Sequence, residues 1–84
     1  MNKYSYVKGG LHMKKVFKME NLECAHCGEK MEQAISKLPG VEACTVRFMT
    51  QKISITAEEE KFPEILEAAN ACCKKIEKDC RIVY

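Results

Sequence analysis

Residues 41–57 read VEACTVRFMTQKISITA, and this stretch decides the predicted fold. Apolar and polar residues alternate on both sides of the central MTQ, and the apolar positions are Cys44, Val46, Phe48, Ile53 and Ile55. A period of two residues is typical of a half-buried strand, and a short turn between two such segments indicates a β-hairpin. The stretch therefore predicts two antiparallel strands joined by a turn at residues 49–51.

A helical pattern lies on either side of this hairpin. Before it, GEKMEQAISKL places apolar residues at the spacings of one helical face, which predicts a helix over residues 26–38 that ends at Pro39-Gly40. After it, PEILEAANACCKKIEK shows the same spacing, with Pro63 at the favoured first-turn position. The hairpin is therefore expected between two helices.

The two ends of this region supply the outer strands. KKVFKME, residues 14–20, alternates with Phe17 and Met19 on one face, and DCRIVY, residues 79–84, predicts a short last strand. The resulting order, βαββαβ, is that of the α+β ferredoxin-like open sandwich. Right-handed crossovers then place both helices on one face of a four-stranded antiparallel sheet.

A chain of 84 residues has room for one compact domain, which we assign to residues 13–84. Residues 1–12, MNKYSYVKGGLH, carry a Gly-Gly pair and no sustained period, so they are predicted to form a flexible N-terminal extension in which His12 has no role. No stretch approaches the roughly 18 apolar residues of a membrane span, and the N-terminus lacks the layout of a secretion signal. We expect a cytoplasmic protein without membrane insertion.

Charge and cysteine content narrow the function further. The formal net charge is +2, and both signs alternate along the chain, so no basic surface is expected and nucleic acid is not an expected partner. The six cysteines are irregularly spaced. In a chain without a secretion signal, free thiols, metal ligands or catalytic groups are expected rather than a disulfide framework.

The cysteines of ECAHC, Cys24 and Cys27, lie in the predicted loop between the first strand and the first helix. The unpaired N–H groups and the dipole of a helix N-terminus stabilise negative charge, so we expect lowered thiol pKa values there, with Cys27 in the first helical turn. Two sulfurs at this spacing can converge on one ion. Thiolates select soft cations such as Zn(II), Cd(II), Pb(II), Hg(II) or Cu(I), and the motif therefore predicts metal binding.

Residues 14–84 resemble the heavy-metal-associated domain family, which includes copper metallochaperones and the N-terminal domains of soft-metal P-type ATPases. The resemblance rests on the CxxC loop, the EKMEQAISKLPGV stretch after it, the TVRF and KISI strands, and the closing helix and strand. It implies that Cys24 and Cys27 bind metal at an exposed loop. It also implies transfer by ligand exchange to another CxxC domain or a metal-transporting P-type ATPase, without enzymatic activity. Whether two copies share one ion in a metal-bridged dimer stays open.

The residues before the first cysteine indicate the subclass. Copper members usually carry a methionine two residues before that cysteine, where this chain has Leu22, and Glu23 stands directly before Cys24. This looks like the zinc, cadmium and lead ATPase branch, in which such an acidic residue can be a third ligand. A carboxylate suits a divalent ion that takes three or four ligands, whereas Cu(I) is satisfied by two thiolates. We therefore expect Zn(II), Cd(II) or Pb(II), with Glu23 as a third ligand and Cu(I) as the alternative.

The remaining candidates are weaker. His26 lies between the cysteines and is expected to point away from their ion. Lys74 and Lys75 are interpreted as solvated cations at a helix end. Cys44 and either Cys72 or Cys73 are expected to pack as small apolar residues. Two other functions stay open: a thiol-disulfide oxidoreductase that uses CxxC, and a structural zinc cage closed by Cys24, Cys27, Cys72 or Cys73, and Cys80.

Overall fold

The computed structural model describes residues 12–84 and has four strands and two helices in the predicted order. The elements are β1 His12–Glu20, α1 Ala25–Ser36, β2 Val41–Arg47, β3 Lys52–Glu58, a 3₁₀ turn Glu59–Lys61, α2 Phe62–Ile76 and β4 Arg81–Val83. The strands form one antiparallel sheet in the order β2-β3-β1-β4. The ferredoxin-like βαββαβ fold is thereby confirmed. Neither helix in the described part has the length and apolar character needed to span a membrane.

The core lies between the helices and the inner face of the sheet. Every second residue of β3 is buried, and one face each of α1 and α2 covers these side chains. The buried apolar residues are Met19, Leu22, Met31, Ile35, Ile53, Ile55, Ala57, Phe62, Ile65, Leu66, Ala69, Cys73, Cys80 and Ile82. Full burial of one large apolar side chain contributes about 1.5–3 kcal/mol, so this cluster is the main source of stability.

Helix α1 begins one residue earlier and ends two residues earlier than its predicted range of 26–38. The cause is Pro39, because a proline disfavours helical dihedral angles in the residue before it. The backbone tightens here, and the Leu38 N–H donates to the Ile35 carbonyl, three residues back, at 3.0 Å. Leu38 still packs against the core.

The hairpin turn is longer than predicted. β2 ends at Arg47, so Phe48, which was expected in the strand, lies in a turn over residues 48–51. The Gln51 N–H donates to the Phe48 carbonyl at 3.2 Å, and Gln51 has a positive φ of 55°. Alternation alone does not mark this end, because Phe48 remains partly buried against the core.

His12 was predicted to belong to the N-terminal extension, and this prediction is wrong. β1 begins at His12, which pairs with Glu58 of β3. Its imidazole Nδ1 contacts the Glu42 carboxylate, and its Nε2 lies 4.0 Å from the Glu58 carboxylate. The rest of the predicted extension, residues 1–11, lies outside the described residues.

The side chain of Gln51 holds the exit of β1 against the hairpin turn. Its amide oxygen accepts from the Leu22 N–H at 3.2 Å, and its amide nitrogen donates to the Leu22 carbonyl at 2.8 Å and to the Phe48 carbonyl at 2.9 Å. Its own carbonyl accepts from the Met19 N–H at 2.8 Å. One side chain therefore satisfies three backbone groups at the entrance to the CxxC loop.

Gln51→Ala should lower the free energy of unfolding by about 1–3 kcal/mol, because partly buried backbone groups at Leu22 and Phe48 lose their partner. Urea denaturation followed by circular dichroism measures the change. Gln33→Ala, at an exposed position of α1, is the matched control and should shift stability by less than about 0.5 kcal/mol. Equal losses of unfolding free energy in the two variants would contradict this stabilising role of the Gln51 side chain.

Candidate metal-binding site

The loop before α1 and the loop after α2 lie side by side at one end of the sheet. They meet because β4 pairs with the end of β1, where Glu20 is directly opposite Arg81. Arg81 also binds the Glu20 carboxylate, with Nη2 to Oε1 at 2.8 Å. Asn21, whose φ is 63°, donates from its side chain to the Asp79 carbonyl at 3.1 Å. The pairing therefore places residues 21–27 next to residues 77–80.

Cys24 is the N-cap residue of α1, directly before the first helical turn. The Cys27 backbone N–H, the Cys27 thiol and the His26 backbone N–H stabilise the Cys24 thiolate, so the pKa of this thiol is lowered. The Cys24 carbonyl accepts from the Gly28 N–H at 3.0 Å, which begins the helical hydrogen-bond ladder. The expected effect of the helix N-terminus is thus realised at Cys24.

Cys27 differs from the prediction. Interaction with the Glu77 carboxylate, together with burial and the Cys24 thiol, raises the pKa of Cys27 to about 11. The sequence analysis expected lowered values in the first helical turn. This expectation is wrong for Cys27 because the carboxylate of Glu77, from a distant part of the chain, opposes ionisation of the Cys27 thiol.

Glu77 follows α2 and is a site residue that the sequence analysis missed. Its carboxylate accepts from the Glu23 backbone N–H at 3.1 Å. Its backbone N–H donates to the Cys73 carbonyl at 2.8 Å, and its carbonyl accepts from the Cys80 N–H at 3.0 Å. These bonds hold Glu77 against the CxxC loop. In the sequence, the one indication of this role is that Glu77 is an acidic residue shortly before the last strand, in a loop that this fold places near the CxxC loop.

Glu23 enters the structure through its backbone, and its side chain is exposed. Its role as a third ligand therefore stays a prediction. Within residues 12–84, no group of three or more histidine, cysteine, aspartate and glutamate side chains is arranged to hold a metal ion in advance. Glu77 and Glu23 are the carboxylates that adjoin the loop of Cys24 and Cys27.

The other candidates near the motif face solvent. His26 is exposed, and its Nδ1 lies 3.8 Å from the Glu29 carboxylate. Lys74 and Lys75 are exposed in the last turn of α2. The residue after this helix that reaches the thiols is therefore the acidic Glu77 and not a lysine.

The remaining cysteines divide into buried and half-buried ones. Cys73 and Cys80 have no exposed surface and lie in hydrogen-bonding range of each other, and Cys80 Sγ is 4.0 Å from Met31 Sδ. Burial raises the pKa of both thiols, to about 12 for Cys73. Cys44 and Cys72 are half-buried. Cys73 and Cys80 therefore pack in the core, an arrangement that gives no support to a four-thiolate zinc cage.

This geometry suits capture of a cation by ligand exchange. Metal binding requires deprotonated thiols, and Cys24 already favours its thiolate. An arriving cation must displace the proton of Cys27, and the Glu77 carboxylate is positioned to receive it. Once that proton has passed on to solvent, the same carboxylate is again an anion and is free to turn toward a cation.

Comparisons with known proteins identify the family of this chain. The family described as the heavy-metal-associated domain matches residues 16–75. A probable copper-transporting ATPase, PacS, from a Synechocystis species is 37% identical over 51 residues, which are 61% of this chain and 7% of that protein.

Solved structures share the fold. The CopZ metallochaperone superposes with a TM-score of 0.65 at 18% identity, over 84% of this chain and 100% of that one. The N-terminal domain of PacS from Synechocystis gives a TM-score of 0.63 at 20% identity, over 86% and 98% of the two chains. At these identities the structural likeness shows the fold alone.

Glu77→Gln should lower the pKa of Cys27, because the carboxylate that opposes its ionisation is removed. The pH at which Cys27 becomes reactive toward iodoacetamide, measured by peptide mass spectrometry, should therefore fall. Asp79→Asn, an exposed change in the same loop, is the control and should leave the profile in place. An unchanged Cys27 profile in Glu77→Gln would contradict the contact.

Proposed function

Because the chain belongs to the heavy-metal-associated domain family of metal-binding modules, we propose that it binds one soft metal ion between Cys24 and Cys27 and passes it on by thiolate exchange. The recipient or donor is another CxxC domain or a metal-transporting P-type ATPase. The chain spans only 7% of the ATPase it matches, so the proposal covers a separate chaperone and a domain of a transporter alike. Zn(II), Cd(II) or Pb(II) is the favoured cargo.

The position of the Glu77 carboxylate beside the CxxC loop, where it accepts from the Glu23 N–H and raises the pKa of Cys27, is the observation that carries the choice of a divalent ion. Two thiolates and one carboxylate bring three negative charges to one place. A divalent cation balances more of this charge than Cu(I) does, and it accepts oxygen as well as sulfur ligands. Glu23, whose backbone binds the same carboxylate, is a further oxygen donor at the rim of the site.

Transfer is supported by the position of the site. Cys24 and Cys27 are only half-buried and lie in a loop at one end of the sheet, so an incoming thiolate can approach the ion. Two thiolates leave coordination positions open for a partner's sulfur. A carboxylate ligand that can return to a hydrogen bond within the protein would ease release of the ion.

Cu(I) is the second candidate, and the 37% identical relative, described as a probable copper-transporting ATPase, favours it. The absence of a preassembled third donor among residues 12–84 also suits an ion that takes two thiolates. Leu22, at the position where copper members usually carry methionine, is weaker evidence against copper than Glu77 is. Leu22 is 3% exposed and packs in the core, so its position serves as an apolar anchor.

Competitive titration of the reduced protein with Zn(II), Cd(II), Pb(II) and Cu(I) tests the proposal. Cys24→Ser and Cys27→Ser should abolish tight binding, whereas Cys72→Ser, a half-buried thiol on α2, should not. Glu77→Gln should weaken Zn(II) and Cd(II) binding by at least about tenfold and Cu(I) binding much less. Glu23→Gln measures the second carboxylate separately.

The outcomes separate the two candidates. Tighter Cu(I) binding with no effect of either carboxylate on Zn(II) would overturn the divalent assignment and leave the copper one. Retained binding in both cysteine variants would overturn the site itself. Native mass spectrometry of the loaded protein distinguishes one ion per chain from one ion shared by two chains.

Removal of metal should leave the protein folded, because the buried cluster of 14 apolar residues contains neither Cys24 nor Cys27. Thermal melting with a chelator should give a cooperative transition. Saturating Zn(II) should add about 3 kcal/mol at a hundredfold excess over the dissociation constant. Loss of the folded state in chelator would instead favour a structural zinc domain.

A further inference from the structure

Lysine and arginine side chains collect on the face of the sheet that the helices leave open. Every second strand residue points to this face, and its cations are Lys14, Lys18, Arg47, Lys52 and Arg81. Three carboxylates lie on or beside this face: Glu20 is paired with Arg81, and Glu42 and Glu58 lie at the far end, both next to His12. The expectation that charges of both signs stay interspersed is therefore wrong for this surface, because strand alternation sorts them.

Three of these cations form one row across three neighbouring strands. Arg47 lies directly opposite Lys52, and Lys52 directly opposite Lys18. The row continues on β4 with Val83, which is paired with Lys18, so it contains no carboxylate. Opposite residues on antiparallel strands have β carbons about 4.5–5.5 Å apart, and like charges in such pairs are destabilising. An external anion would relieve this repulsion.

A depression of about 180 Å³ adjoins the row, and its lining suits phosphate oxygens. It is lined by Lys14, Val16, Thr45, Arg47, Lys52 and Ser54. Three of these residues are cations, two carry hydroxyl groups and none is a carboxylate. Val16, which is 58% exposed, adds an apolar contact at the middle of the face.

We propose that this open face of the sheet docks on an anionic phospholipid surface, whose phosphates neutralise the row of Lys18, Lys52 and Arg47. The described residues carry 12 cations and 12 carboxylates, since only Lys3 and Lys8 of the 14 cations precede them. Attraction to the lipid surface therefore comes from the uneven distribution of charge between the faces of the domain and not from its net charge. Binding is peripheral, with the helices and their carboxylates turned toward water.

The extent of the row favours a surface over a single small anion. Three adjacent strands span about 10 Å, which is more than one phosphate group can contact. In the described part of the chain, the strand positions on this face carry no Phe, Tyr or Trp, and His12 lies at the far end against Glu42 and Glu58, so bases of single-stranded nucleic acid would find no stacking platform along the row. An array of phosphates with apolar material beneath it matches the cations, the hydroxyl groups and Val16 together.

Sedimentation of the reduced, metal-free full chain with vesicles tests the proposal. The protein should bind vesicles of mixed phosphatidylglycerol and phosphatidylcholine, not vesicles of phosphatidylcholine alone, and binding should fall as salt rises. The double variant Arg47→Gln, Lys52→Gln should lose about 25-fold in partitioning, at about fivefold for each cation. The control Lys37→Gln, Lys75→Gln makes the same change in net charge at exposed positions beside the helices and should keep most of the binding.

Several results would overturn the docking surface: no binding to phosphatidylglycerol vesicles, equal losses in the two double variants, or displacement by inorganic phosphate at matched phosphate concentration. Tighter binding to a single-stranded RNA oligonucleotide than to vesicles would overturn it in favour of nucleic acid.

Without vesicles, the double variant Arg47→Gln, Lys52→Gln should melt no lower than the wild type, because like-charge repulsion is removed. A lower melting temperature would contradict the row argument. Cys24→Ser should bind vesicles normally, which separates this test from that of the metal site.

Discussion

The pairing of β4 with the end of β1 is the constraint on which the site depends. Glu20 lies opposite Arg81 in the ladder and binds its guanidinium group, so two loops 50 residues apart in the chain are brought together. Without this pairing, Cys27 and Glu77 would belong to unrelated surfaces. The fold thus brings Glu77, an acidic residue far from the two cysteines in sequence, next to the motif.

The two thiols of the motif have unequal roles as a result. Cys24, at the N-cap, receives the N–H groups of the first helical turn, while Cys27 faces a carboxylate. Under the proposed function, one sulfur meets the cation as a thiolate, and the other loses its proton when the cation arrives. The carboxylate that opposes ionisation of Cys27 is also a proposed oxygen donor, so the proposed function couples proton release and coordination at one side chain.

Much of the fold could be predicted from the sequence, because period-two and helical patterns report burial directly. The four strands, both helices and the buried Met19, Ile53 and Ile55 followed from those patterns. Ends of elements were less accessible, since the turn at Phe48 and the early end of α1 depend on Gln51 and Pro39. Cys24 and Cys27 could be proposed as metal ligands from their spacing, from their position between a strand and a helix, and from the family resemblance.

The contribution of Glu77 and the sorting of cations on the sheet could not be foreseen in the same way. Glu77 acts through a contact between residues 50 positions apart, and a linear pattern does not encode that distance. Lys18, Lys52 and Arg47 are separate in sequence and become neighbours only once strand register is known. A count of charges along the chain does not separate the two faces of the sheet, and the row of cations lies on only one of them.

Burial of Cys73 and Cys80 has a consequence for metal traffic. A protein with six thiols could bind a thiophilic ion through several sulfur ligands at once, and such an ion would dissociate slowly. Two of these thiols are sealed in the hydrophobic interior beside Met31, and the half-buried Cys44 and Cys72 lie on separate elements. The surface is left with a single chelating pair. For the proposed function, burial of these two thiols favours release of the ion to a partner over its retention in the domain.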